Sequence, residues 1–494
     1  MKGRGICIVI SLFLIVITVS LAWRFLEDTP VDYEPIEEHF KYGSTGGERV
    51  AGFPYWIWKA LPRMCADKMP KEKVSPNREY EAFGFIYEQG KDLPVGTSKR
   101  RHMGIDRVFL NCAVCHAGTV RDTPSSAPKV IAGMPAHGMR LMAFEKFVFD
   151  CAKDPKFSPD QMIPEIQRLN GKLSLLDRYV VYPIAIYLMR DNLLTLESRF
   201  HFMLKQPEIP DWGSGRVDTF GSAKAGLNFR MDNAPKEELI GTVDFPSIWL
   251  QGPRTGMHLH WDGNNDRVQE RNRSAAFGTG ATPPTLDRER IKRIEDWLLT
   301  HEPPSYPYSI DPVRKQKGGA VYKVYCVRCH GANGRDFRGS AVGTTTPIDE
   351  IKTDRHRLDS YTYNLAVSQN LLYAGTDDPN ERFSHFRKTF GYANMPLDGI
   401  WLRAPYLHNG SVPTLYDLLL PSKDRPTTFY RGYDVYDSVK VGFVSNVPEE
   451  NGRHYFLFDT KLDGNGNKGH EGDAYGTNLP PEDKDALIEY MKTF

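Results

Sequence analysis

The sequence predicts a mainly α protein in two units, with long loops and little β. Three observations carry that reading: apolar residues fall at helical spacing, few segments alternate every second residue, and one short cysteine-centred pattern occurs once in each half of the chain. At 494 residues the chain exceeds what one compact core supports, so two domains follow from length alone. The 42 glycines, 35 prolines, 24 tyrosines and 26 phenylalanines add loops and large aromatic packing units. Lys plus Arg number 63 against 62 Asp plus Glu, a balance that sets aside the strongly basic nucleic-acid binders.

The first element is a hydrophobic helix. Lys2 and Arg4 precede an uncharged stretch from Gly5 to Trp23, which Arg24 closes. That run is long for a signal-peptide core and about long enough to cross a bilayer as a helix. Charges ahead of the run put the N-terminus inside and the remaining chain outside. Ser20-Leu21-Ala22 also offers a small-x-small cleavage site. The expectation is a periplasmic protein, either tethered to the cytoplasmic membrane by residues 5–23 or released by cleavage. Residues 1–30 are thus set apart as signal or anchor. An oxidising compartment permits a disulfide between Cys65 and Cys151, with two separate buried thiols as the alternative. Cys7 lies inside the apolar run.

The repeated pattern comes next. It reads Gly104-x-x-x-Val108-x-x-x-Cys112-Ala-Val-Cys115-His116 and then Gly318-x-x-x-Tyr322-x-x-x-Cys326-Val-Arg-Cys329-His330. Spacing of four places glycine, apolar residue and first cysteine along one helix face in both copies. Between the copies, Leu286–Leu299 has helical spacing and ends an N-terminal unit of residues 31–300. A proline-rich stretch, His301 to Pro312, opens the second unit, 301–494. The last helix begins at Pro481, with Glu482 and Asp483 in its first turn. Leu487, Tyr490, Met491 and Phe494 form its apolar face.

C-x-x-C-H is specific chemistry. Two thiols separated by two residues form thioethers to the vinyl groups of one haem, and the next histidine lies beneath the iron as proximal ligand. Zinc pairs usually lie closer in sequence, and a redox dithiol does not explain a histidine after both pairs. The reading is two covalently bound haems c, on Cys112, Cys115 and His116 and on Cys326, Cys329 and His330, in two cytochrome c-like domains. The opposite axial position decides between electron transfer and chemistry. Any one of the remaining histidines, taken blindly, is more often structural.

The run Ala404-Pro405-Tyr406-Leu-His408-Asn-Gly410, continuing to Thr414-Leu415, resembles a signature of the bacterial di-haem cytochrome c peroxidase superfamily, which includes MauG. Trp261-Asp-Gly-Asn-Asn265 with Glu270-Arg271-Asn272 and Ala276-Phe277-Gly278 resembles the RoxA-type di-haem rubber oxygenases, as does Phe458 to His470. In the peroxidases the second haem's sixth ligand stands six residues before a G-T-x-L run. Here that position is His470, ahead of Gly476-Thr-Asn-Leu479; His408 and Met395 are the competitors. His408 would then lie between the haems. The rubber oxygenases leave the first iron open beneath an aromatic ring, a role that carries to Phe277, with Trp261 as electron relay. His137 matches where the peroxidases place a removable distal histidine. Asp463-x-Asn465-x-Asn467 begins like a calcium loop, but Lys468 and Ala474 break the pattern, so a turn delivering His470 is expected. The superfamily often holds calcium elsewhere and often dimerises.

The functional expectation is an oxidoreductase acting on dioxygen or hydrogen peroxide at the first haem, with an apolar olefin as cosubstrate. The alternatives are a peroxidase fed by a small cytochrome and a carrier without catalysis.

Overall fold

A computed structural model describes residues 2–205, 207–372 and 378–494, with side chains from residue 11 onward except Phe13 and Asn380. Helix takes up 42% of the chain and strand 12%, so the mainly α expectation holds. Helix α1 (Lys2–Leu26) covers the uncharged run, although the side chains of residues 5–10 and 13 lie outside those described. Among the described residues no helix is long and apolar enough to cross a membrane.

The chief departure from the sequence reading lies before the first C-x-x-C-H motif. Gly104 and Val108 do not lie on a helix. They belong to an antiparallel hairpin of β3 (Thr97–His102) and β4 (Ile105–Leu110), flanked in the sheet by β1 (Asp28–Pro30) and β2 (Phe53–Pro54). His102 pairs with Ile105, leaving a two-residue turn in which Met103 (φ 49°) and Gly104 (φ 77°) both take left-handed backbone. Such turns match the twist of the strands they join. A spacing of four keeps residues on one strand face as well as on one helix face, which is why the pattern misled.

The second copy folds as expected. Helix α5 (Pro312–Tyr325) starts with Asp311 accepting from the amides of Val313 and Arg314, and it carries Gly318 and Tyr322 to Cys326. A Cβ on Gly318 would meet the Ala486 carbonyl oxygen at 1.8 Å, so only glycine lets α5 cross the last helix, α6 (Pro481–Met491), at this distance. Tyr322 is fully buried between Tyr490 and Phe494, with ring centroids 5.3 and 5.0 Å away. The intervening helices that matter below are α2 (Leu141–Lys153), α3 (Tyr182–Phe200) and α4 (Val268–Gly278).

Two large apolar centres hold the chain, with three smaller clusters beside them among the described residues. One gathers side chains between Phe53 and Phe245; the other is built mostly from residues 322–494, with Val120, Met134 and Trp249 entering from the earlier part of the chain. Cys65 and Cys151 form a disulfide inside the first centre, with Cα atoms 5.8 Å apart. The Asp463–Asn467 run is a turn: Asp463 pairs with Lys236, Asn465 bonds Arg216 and the Asp459 carbonyl, and Asn467 donates to the Pro426 carbonyl. Its side chains are spent within the protein. Among the described residues no group of three or more His, Cys, Asp or Glu is placed to hold a metal ion.

Candidate haem centres

The first motif is a single helical turn, Ala113–His116, held from both ends. The Asn111 side chain donates to the carbonyls of Lys41 and Gly43 and accepts from the Ala113 amide. Gly96, at φ 86°, lies so close that a Cβ there would meet Val114 backbone atoms at 2.4 Å. The Nδ1–H of His116 donates to the Pro246 carbonyl at 2.9 Å, which fixes the tautomer and leaves Nε2 as the free lone pair. Burial lowers the pKa of His116 to about 4, so the ring is neutral at ordinary pH, as a metal ligand must be.

The second motif repeats this device. His330 Nδ1–H donates to the Met395 carbonyl at 2.7 Å. Met395, one of the competing sixth ligands, thus serves the proximal histidine through its backbone. Across from His330 stands His470, ring centroids 6.1 Å apart and planes at 44°. A histidine nitrogen binds a transition metal at about 2.0–2.1 Å, and with about 1 Å more to each ring centre, two rings flanking one metal lie about 6 Å apart. Turn geometry delivers His470: Gly469 (φ 81°) packs on the Ile351–Thr353 backbone, and the His470 amide donates to the Ile351 carbonyl. Its Nδ1 is buried without a hydrogen-bond partner. Burial is the main cause that lowers its pKa to about 3.

These residues fit haem c. Burial raises all four motif thiols, Cys112 to about 11 and Cys326 to about 12. A redox dithiol needs the opposite, a lowered thiol. None of the four is disulfide-bonded.

Trp261 is hydrogen-bonded to both segments that hold the proximal histidines. Its indole N–H donates to the Asp244 carbonyl at 2.9 Å, and Asp244 lies two residues before Pro246, which holds His116. The Trp261 carbonyl accepts from the Ala393 amide, and Ala393 lies two residues before Met395, which holds His330. Trp261 therefore bonds both short segments that fix the proximal histidines, one through its indole and the other through its backbone carbonyl. His408 is in the same region: its carbonyl accepts from the Asp244 amide, and its ring stacks on Tyr392 at 4.1 Å with Nε2 bonded to the Tyr392 hydroxyl. That nitrogen is engaged with the phenol, 3.0 Å away.

The other two residues singled out in the sequence have packed environments. His137 Nε2 lies 2.9 Å from the Thr119 carbonyl and its ring stacks on Phe443 at 4.0 Å, so ligating a metal would require it to leave both. Phe277 packs on Phe383 at 5.8 Å, in a small cluster with Ala276, Leu286 and Phe386. Also on α4, the Arg271 charge acts on His116 and on His260, a half-buried ring bonded through Nδ1 to Asn264. Glu145 on α2 was not read from the sequence. Its Oε2 is buried without a partner, its charge acts on Cys115, and burial raises its pKa to about 8. Arg271 stood within the Glu270-Arg271-Asn272 run of the sequence resemblance but without a role, while no sequence pattern separates His260 and Glu145 from surface residues.

A family model described as RoxA-like, cytochrome c-like matches residues 391–430, the stretch that contains Met395, the Ala404–Gly410 run and Thr414. The uncharacterized protein y4iM of Sinorhizobium fredii is 30% identical over 312 residues, 55% of this chain and 71% of the relative. A second uncharacterized protein of that organism, y4iJ, is 38% identical over 164 residues, 32% of this chain; the chain spans a quarter of that relative's length. Motif, burial and these likenesses agree that the chain belongs to the family of y4iM and carries a RoxA-like, cytochrome c-like domain, with haem c as its cofactor.

Proposed function

We propose that the chain is an exported di-haem oxidoreductase in which the His116 centre reacts with dioxygen or hydrogen peroxide and the His330 centre supplies or takes up electrons. The observation that carries this is an asymmetry. His330 faces a second imidazole, His470, while among the described residues no imidazole is in ring contact with His116. Two nitrogen ligands saturate an iron for electron transfer, and an open position allows oxidant to bind. Haem, when bound, supplies the redox chemistry; the chain's own residues set its limits. Pro246 and Met395 orient the proximal rings, Trp261 is bonded to both of their supporting segments, and Arg271 places a positive charge near the first centre.

Glu145 favours peroxide as an oxidant. Its carboxyl, kept neutral by burial and acting electrostatically on Cys115, could give a proton to a peroxide at the first centre, where haem would supply the electrons. An apolar olefin remains the proposed cosubstrate of the oxygenase reading. A tether formed by residues 5–23 suits a lipid or isoprenoid better than a large polymer, and a small periplasmic cytochrome is the natural electron partner.

Visible and EPR spectra, with carbon monoxide added after reduction, test the assignment. About one equivalent bound per wild-type chain, rising to about two in His470→Ala, is expected if one iron is open and the other closed by His470. A wild type in which neither iron accepts carbon monoxide sinks the catalytic reading and leaves a carrier.

A further inference from the structure

Helix α3 and the turn before it expose apolar side chains in number. Leu175 is 77% exposed, Tyr179 65%, Val180 46%, Ile184 54%, Tyr187 59% and Leu188 58%. The opposite face, through Tyr182, Ile186, Met189 and Leu193, is buried in the first apolar centre, so α3 is a packed helix whose outer face is apolar where water should meet polar groups. The apolar character also stops part-way along. Beyond Leu188 the exposed residues are Asp191, Asn192, Thr195, Leu196, Ser198 and Arg199, so one apolar side chain, Leu196 at 37% exposed, stands among five polar or charged ones.

What covers this patch is indicated by the chain at its near end. Arg24, which closes the hydrophobic run of α1, is ion-paired with Asp177 in the turn that leads into α3, and donates to the Gly104 carbonyl at 3.0 Å. Phe25 packs on Gly104. Trp23, Phe25, Leu26 and Met103 add exposed apolar surface at this end, and the Arg178 guanidinium lies 5.3 Å from the Tyr179 ring centre. Aromatic rings with cations beside them are the side chains that settle at a lipid headgroup boundary.

We propose that the apolar face from Leu175 to Leu188, made by α3 and the turn before it, lies in the surface of the same bilayer that α1 enters, buried to the headgroup–acyl boundary. The proposal rests on the tether reading of residues 5–23 and extends it from a leash to a fixed orientation. α3 packs on α2, which carries Glu145, in the first apolar centre. The proposed membrane face thus belongs to a helix packed on the one whose Glu145 acts on Cys115 of the first motif, an arrangement that suits an apolar substrate dissolved in lipid. A bilayer explains the change along α3: only the turns next to the exit of α1 reach lipid, and the later turns rise into water.

The test uses the full, haem-loaded chain carrying Cys7→Ser, in vesicles of phosphatidylcholine and phosphatidylglycerol. A nitroxide is placed at Val16→Cys, Ile184→Cys, Tyr187→Cys or Ser198→Cys, and haem spectra verify that each variant is folded. Accessibility to oxygen, which partitions into lipid, is compared with accessibility to a water-soluble nickel chelate. Positions 16, 184 and 187 are expected to show an oxygen-to-nickel ratio several-fold above position 198. Position 16 in lipid with 184 and 187 matching 198 overturns the proposal and leaves the tether intact. Position 16 in water removes the tether and the proposal with it. Positions 184 and 187 closed to both reagents would mean that protein, a second copy included, covers the face, and the proposal fails.

Discussion

Trp261→Phe separates a conduit from a packing residue. The substitution keeps a ring in place but removes the indole N–H that meets the Asp244 carbonyl at 2.9 Å. One lost hydrogen bond costs about 1 kcal/mol net, and up to about 3 if the buried carbonyl finds no other donor. A loss of that size lowers the melting temperature by a few degrees in a chain of this length and leaves the fold intact. The effect on electron movement is of another kind. The backbone bonds that hold His116 and His330 do not involve the indole ring, so both haem spectra are expected to stay unchanged. The rate at which the two centres equilibrate is expected to fall by at least about tenfold, the equivalent of ~1.4 kcal/mol of barrier. Photolysing carbon monoxide from the half-reduced protein and following the Soret band reads that rate directly. Wild-type equilibration in a Trp261→Phe protein with intact spectra would refute the assignment, because every structural consequence would then be present without the functional one.

Glu145 makes stability fall with pH. Burial raises its pKa from 4.5 to about 8, so between those values the folded state holds a proton that the unfolded state lacks; stability should drop on the order of 1 kcal/mol per pH unit across that window, and urea titrations of Glu145→Gln should show the slope flattened. The disulfide spans 86 residues, for which the chain-entropy account gives about 4–5 kcal/mol; Cys65→Ser with Cys151→Ser should lower the urea midpoint accordingly. Gly318→Ala should cost about 2–3 kcal/mol and loosen the second centre first, seen as loss of its low-spin signal at lower temperature, since α5 must move off the Ala486 carbonyl. His137→Gln should leave the spectrum of the first centre unchanged and cost about 1–2 kcal/mol, because the ring's bond to Thr119 and its stack on Phe443 are packing contacts; a shifted spectrum would return it to the iron.

Local chemistry was readable and long-range burial was not. Each C-x-x-C-H declares itself because attachment and proximal ligation fall within five residues. The last helix was legible from Pro481 and its acidic first turn, which need no tertiary information. The Gly-x-x-x-Val prelude failed because only the backbone at Met103 and Gly104 separates a hairpin from a helix, and many residues tolerate either. His470 lies far along the chain from His330, and a resemblance rather than a pattern pointed to it. Arg271 was visible in a resembling run but not its place beside His116, and His260 and Glu145 were illegible for a physical reason: an ionisable side chain packed against a motif and one facing solvent are the same letter.

Both proximal histidines are held by main-chain carbonyls, those of Pro246 and Met395. No exchange of a side chain can delete either acceptor. A carboxylate in that position could be lost or gained in a single mutational step, and the electron density on the iron would change with it. Here the lower face of each centre is shielded from such steps, and heritable variation is channelled to the upper face, where side chains alone decide what may enter. A lineage built this way can change its oxidant or its organic partner without detuning the metal that serves them.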